Sequence, residues 1–367
     1  MGAVLLWTSV ASASPPSPQP STRAASQPTA HLAAPTTRPA AKARTTRAPR
    51  RVVAIPSRRP APTPVILPAP PLKKRWSNGR LRIIQEQVSI VGKGLTPHGR
   101  TQQWHLNGQK KEESTFRYGR YHGKIQRWHP NGQKALLGHF DNGKMLGIQK
   151  VWHSNSQLST QGLYSRAGRE GQWVFWTING HVWLKGSYRN GKRIGLWTQW
   201  YKLGKQQKLW RGHYRQGQRV GKWTRWYITG RIWEQSEYLH GKLHGRYRRW
   251  SMLGEREEEG RYNKGEQTGK WQTWFPNGRL HTVGYYKNDE KSGSWKEWFS
   301  SGKLFMEGQY KADNREGTFR WYHRNGTKLM EGKYLEDERH GRWTMYRLNG
   351  QSLRIILYDR GLFIRRF

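Results

Sequence analysis

The sequence predicts an all-β protein: an elongated, twisted single-sheet array of repeated β-hairpins, preceded by a disordered N-terminal segment. Three observations predict it. Glycine recurs every 24 residues from Gly99 through Gly123, Gly147, Gly171 and Gly195, slips by two to Gly221, and continues to Gly341. An aromatic stands five residues after each of these glycines, from Trp104 to Tyr346. Asn-Gly pairs punctuate the units at Asn107-Gly108, Asn131-Gly132, Asn179-Gly180, Asn277-Gly278, Asn325-Gly326 and Asn349-Gly350. A fixed period of this length is the mark of a repeat architecture.

The N-terminus comes first. Residues 3–13 are a short apolar run ending in Ala11-Ser12-Ala13, the small-x-small pattern of a signal-peptide cleavage site whose basic start is missing. Export to the periplasm, envelope or exterior is therefore expected, with a cytoplasmic location as the alternative. No apolar stretch is long enough for a transmembrane helix. Residues 14–75 are rich in Pro, Ala and Arg and hold no acid. Such a segment cannot bury a core and reads as a disordered basic linker. Residues 76–98, opening on Trp76-Ser77-Asn78-Gly79, read as a degenerate half-repeat.

Eleven units of 24 residues fill 99–367. In the unit opened by Gly269, Lys270–Phe275 reads as one strand and Arg279–Tyr286 as the next. Asn277-Gly278 between them signals a type I′ turn, whose two central residues have positive φ. Eleven hairpins give about 22 strands, on the order of 100 Å of sheet. Counting the unit-opening glycine as position 1, an aromatic at position 18 (Tyr164, Tyr188, Tyr214, Tyr238 and their copies) is expected to stack on its copies in adjacent units. Hydrophobic residues make up only 34% and aromatics 13%, so rings must build the core.

Many units carry two tryptophans three residues apart: Trp173/Trp176, Trp197/Trp200, Trp223/Trp226, Trp271/Trp274 and Trp295/Trp298. An odd separation puts them on opposite strand faces, unless a bulge brings both to one side. The first row then packs inside. The second row, where Arg and Lys flank it, is the candidate ligand-facing set: Trp176, Trp200, Arg225, Trp226, Arg248, Arg249, Trp250, Trp274 and Trp298. The competing reading is that these cations only keep a Trp-rich sheet soluble.

The formal charge is +43, about +12 of it in residues 1–75. Charge of this size attracts polyanions. With no cysteine, thiolate catalysis and Cys-based zinc sites are excluded. Gly217–Trp223 and Gly265–Trp271 are one residue short of a phosphate loop and lack its Ser/Thr. His105, His129 and His153 repeat at one place, two strands apart, too far to share a metal ion. Glu255–Glu259 reads as a solvated edge. No catalytic, cofactor or metal residues are assigned, and no enzymatic activity is expected.

The units resemble MORN repeats. Glu331-Gly332-Lys333-Tyr334 through His340-Gly341-Arg342-Trp343 looks like that family's Gly-x-Tyr…His-Gly-x-Trp core, and Gly186–Lys192 and Tyr238–Gly245 show it again. The 24-residue Trp-rich form is most similar to the bacterial MORN-variant, antitoxin-like (YwqK-type) family. Ser156 and Ala167 replace glycines, and Asp289, Asp313 and Asp337 stand where other units have Gly. The resemblance implies a scaffold that acts by binding. Three functions follow: a non-catalytic scaffold meeting a protein partner or an anionic envelope surface (glycan or lipid headgroups), an antitoxin or immunity protein, and a nucleic-acid-binding array.

Overall fold

The computed structural model describes residues 65–203 and 207–367, all within one compact unit, Pro62–Phe367. The expected signal segment (1–13) and all but the end of the linker lie outside the described residues. Every described element is a strand, numbered β1 to β26 in chain order. Each pairs antiparallel with its chain neighbours in one open sheet, except that β19 (Glu290–Lys291) and β20 (Gly293–Trp298), two parts of one strand, both pair with β18 (Leu280–Lys287). Beyond the 22 strands expected, there are β1 (Ile66–Arg75), β2 (Leu81–Ile90) and β26 (Leu362–Arg366), and one strand is interrupted at Ser292.

Strand β1 corrects the linker boundary placed at residue 75. Its prolines Pro68, Pro70 and Pro71 read as linker, but among the described residues β1 pairs with β2 alone and has a bulge between Ala69 and Leu72, where proline is tolerated. Trp76–Arg80 then makes the turn seen in each unit.

The turn expected to be type I′ is of another type. At His105–Gln109 the N–H of Gly108 bonds the carbonyl of His105, and of the Asn-Gly pair only the glycine has positive φ (87°). This is a type I turn with a glycine bulge, not type I′. Asn107 serves instead through its side chain. Its Oδ1 accepts the N–H of Gln109, and its Nδ2 donates to Pro130 O of the next unit at 2.7 Å. Asn131, Asn155, Asn277 and Asn325 repeat this bridge. The type I′ turns lie at the other end, at pairs such as Asn142-Gly143 and His240-Gly241, where both φ values are positive. Asp289, Asp313 and Asp337 occupy the second place of such turns with φ of 65–71°. Each accepts a backbone N–H from the unit before, a bond glycine could not make.

The core is a ring ladder on one sheet face. The position-3 residues Trp173, Trp197, Trp223, Trp271, Trp295, Phe319 and Trp343 are buried. The position-18 tyrosines do not stack on one another. They alternate edge-to-face with this row: Tyr188 meets Trp173 at 6.0 Å and Trp197 at 5.0 Å, with planes at 81° and 86°. The quadrupoles of the rings favour that geometry. One run extends from Tyr164 to Tyr238 and a second from Tyr247 to Tyr358.

A bulge makes room for each tryptophan. Between β10 (Val182–Arg189) and β11 (Lys192–Trp200), Lys185 faces Thr198 and Ser187 faces Ile194, so Gly195, Leu196 and Trp197 stand opposite Gly186 alone. The ring of Trp197 lies on Gly186, and its Nε1 donates to the carbonyl of Ser187 at 3.1 Å. Arg193 covers Trp197 at 4.5 Å and donates to the Tyr214 hydroxyl at 3.2 Å. Arg169, Arg219 and Arg339 repeat this contact, so part of the positive charge is absorbed into the core.

Candidate functional site

The second row lies on the face opposite this ladder. Trp176, Trp200, Trp226, Trp250, Trp274 and Trp298 are all half-buried, neither sealed nor fully open. The bulge ends at the first tryptophan of the pair, so strand alternation from Trp197 to Trp200 survives. Neighbours confirm the face. Tyr322 and Tyr346, which hold the same place in their units, donate hydroxyl hydrogen bonds to Glu307 (2.9 Å) and Glu331 (2.6 Å), and these carboxylates also meet Lys296 and Arg320.

Of the nine residues predicted from sequence, the six tryptophans and Arg248 share this face. Arg225 and Arg249 do not. They sit at position 5, on the core side, where Arg225 Nη1 is 3.4 Å from the Glu234 carboxylate. Arg249 bonds Glu257 at 3.0 Å and reaches Glu258 at 3.3 Å. Adjacent residues on a strand point to opposite faces, so Arg248 and Arg249 cannot serve one surface.

Carboxylates on the two faces respond to pH with opposite signs. Burial raises the pKa of Glu258, against the pull of Arg249. The neighbouring Tyr262 is pushed up to about 12, again chiefly by burial. A folded pKa above the unfolded one means that Glu258 favours folding below its unfolded pKa, and that this contribution is lost as pH rises through the folded pKa. Glu258→Gln, which leaves Arg249 its bond to Glu257, is expected to melt above the parent at pH 7 and level with it near pH 4. Glu331 has the reverse sign. The Tyr346 hydroxyl, with Lys328 and Arg320, lowers its pKa, so its contribution is present at neutral pH and lost on acidification.

Sequence reasoning missed two cations, Lys222 and Arg246, at position 2 of their units on the second-row face. Both are exposed. Lys222 has no ion-pair partner among the described residues. With Thr224, Gln235, Glu237 and Arg248 they line a depression. The signal was available: position 2 is also basic at Arg100, Lys124, Lys270 and Arg342.

The remaining candidates are structural. The Nε2 atoms of His105, His129 and His153 lie 2.9–3.0 Å from the carbonyls of Trp128, Trp152 and Trp176 in the next unit. These nitrogens must donate, since a carbonyl only accepts. Tyr201 and Tyr227 make the same bridge through their hydroxyls. Gly217 lies in a type I′ turn and Gly265 in its counterpart. Glu257, Glu258 and Glu259 are each paired with arginine. Among the described residues no cluster of three His, Asp or Glu could hold a metal ion, and no helix is long and apolar enough to cross a membrane.

Five segments, residues 97–118, 121–142, 267–288, 291–312 and 315–336, match the family model described as a MORN repeat variant. No curated protein matches the chain. Among solved structures, a crystal structure of TcdB2-TccC3 is similar at 12% identity, over 80% of this chain and 16% of that one, with a TM-score of 0.15. A Photorhabdus luminescens Tc holotoxin pore is similar at 10% identity, over 77% of this chain and 18% of that one, with a TM-score of 0.17. The chain spans less than a fifth of the length of either.

Proposed function

We propose that this MORN-repeat protein is a non-catalytic scaffold, acting at the cell envelope, whose second-row face binds an anionic surface. The segregation of the two tryptophan rows carries the reading. One row is sealed against glycine, tyrosine and arginine, and it is accounted for by folding. The other is half-buried on the opposite face, beside exposed cations with no ion-pair partner among the described residues, such as Lys222 and Lys270. Rings and unpaired cations together suit a ligand with both apolar surface and negative charge. The apolar start and the basic linker of the sequence agree with action outside the cytoplasm.

Binding of the full chain to envelope fractions tests it. Retention is expected near 150 mM salt, with log affinity falling linearly against log salt as counterions are released. A one-to-one complex with a co-expressed protein, stable at salt that strips polyanions, would overturn it in favour of an antitoxin-type role.

A further inference from the structure

Several cations of the second-row face gather at the depression between the units opened by Gly221 and Gly245. The Glu237 carboxylate in its wall is turned toward the backbone, where it accepts the N–H of Arg246 at 3.2 Å. Arg246 and Arg248 lie 3.8 and 3.0 Å from Glu259, which Arg256 also approaches at 3.6 Å. One carboxylate thus faces three guanidinium groups, and Lys222 adds a fourth cation. Two residues along the strands from Thr224 and Arg248 stand Trp226 and Trp250, and Trp274 continues the row. Successive rings are two strands apart, roughly 9.5 Å.

We propose that this stretch is a site for a linear anionic polysaccharide with a β-1,4-linked backbone. A carboxylate occupies the depression at Lys222, Arg246 and Arg248, and alternate sugars lie along Trp226, Trp250 and Trp274, displacing Lys208 and Arg256 from over the Trp226 and Trp274 rings, where they stand 5.7 and 5.5 Å from the ring centres. The proposal rests on the polyanion reading above and narrows it. An extended β-1,4 chain turns alternate sugars over, so the same C–H face returns once per disaccharide. That repeat is close to two strand spacings. Each 24-residue unit therefore meets one disaccharide, with one ring for the sugar face. Guanidinium groups suit the carboxylate because their paired N–H donors match its two oxygens. A single-stranded nucleic acid steps at a shorter interval, so its bases fall out of register with the rings. Lipid headgroups are fluid and need no periodic platform.

Titration of the full chain with β-1,4-linked oligomannuronates of two, four and six sugars tests it. Neutral cello-hexaose and single-stranded oligothymidylate serve as comparisons. Affinity is expected to rise with each added disaccharide and to exceed that for cello-hexaose at least about tenfold. Arg248→Gln and Trp250→Ala are each expected to weaken the hexasaccharide about tenfold, with at most a modest fall in melting temperature. Should Trp250→Ala disturb folding, Lys222→Gln carries the test beside Arg248→Gln, because Lys222 is exposed and has no ion pair among the described residues. Length-independent binding, equal binding of cello-hexaose, or wild-type affinity in Arg248→Gln overturns the site. Oligothymidylate binding without oligomannuronate binding overturns the polysaccharide and leaves the polyanion reading standing. Binding of neither overturns both.

Discussion

Replacing Gly186 with alanine is expected to destabilise its region by about 3 kcal/mol, although the change adds a single methyl group. Gly186 does not have positive φ, so backbone freedom is not the reason for glycine. Space is. A Cβ built there would lie 2.0 Å from the Trp197 ring. The ring cannot easily retreat, since its Nε1 is bonded to Ser187 O and Arg193 lies across its face. Gly195 is the contrast. Its φ is 62° and nothing lies within 4 Å of a built Cβ, so Gly195→Ala is expected to cost only about 1 kcal/mol, the penalty of a left-handed backbone. Thermal melting gives the totals, and hydrogen exchange across 171–221 gives the location. A companion Trp197→Leu should recover part of the Gly186→Ala loss, because the two residues compete for one space. Additive losses in the double variant would contradict this account. The same test applies at Gly162, Gly212, Gly260, Gly284 and Gly332, each of which lies under a tryptophan.

Trp197→Ala and Trp200→Ala are expected to differ sharply although they are three residues apart. Trp197 is 0% exposed and contacts Gly186, Tyr188, Arg193 and Tyr214. Truncating it removes a large buried ring, leaves a cavity and orphans the Ser187 carbonyl, at a cost of about 4 kcal/mol. In an array each unit leans only on its neighbours, so the loss should appear as local opening around β10 and β11. Trp200 is half-buried on the other face. Its truncation should cost at most about 1–2 kcal/mol and should weaken polyanion binding. Equal destabilisation by the two variants would mean that both rows are structural.

The period, the strands and the segregation of the rows were legible from residues 99–367, because Gly, Asn and Trp recur at fixed places and strand alternation has only two faces. What glycine does at each place was not legible. Gly186 and Gly195 look alike in sequence, yet one makes room for a ring and the other supplies φ. The type of the turn at Asn107-Gly108 and its copies was not legible, because Asn-Gly is a local signal, whereas these asparagines are retained for a bond to the following unit. The cations were hardest to sort. Arg169, Arg193, Arg219 and Arg339 each stand four residues before a first-row tryptophan, a spacing visible in sequence. Only the fold shows that they cover those rings. Arg225 and Arg249 were assigned to the ligand face for adjacency to tryptophan, but adjacency on a strand means the opposite face. Ile66–Arg75 reads as linker in sequence because proline frequency does not distinguish a coil from a bulged strand.

The central claim is that the two tryptophan rows are divided between folding and binding. Hydroxyl-radical footprinting of the full chain, with and without a bound polyanion, tests it most directly. Trp197, Trp223 and Trp271 are expected to resist oxidation in both states, while Trp226, Trp250 and Trp274 react in the free protein and are protected in the complex. Oxidation of the first row in the free protein, or a complex in which the second row reacts as before, would contradict the account.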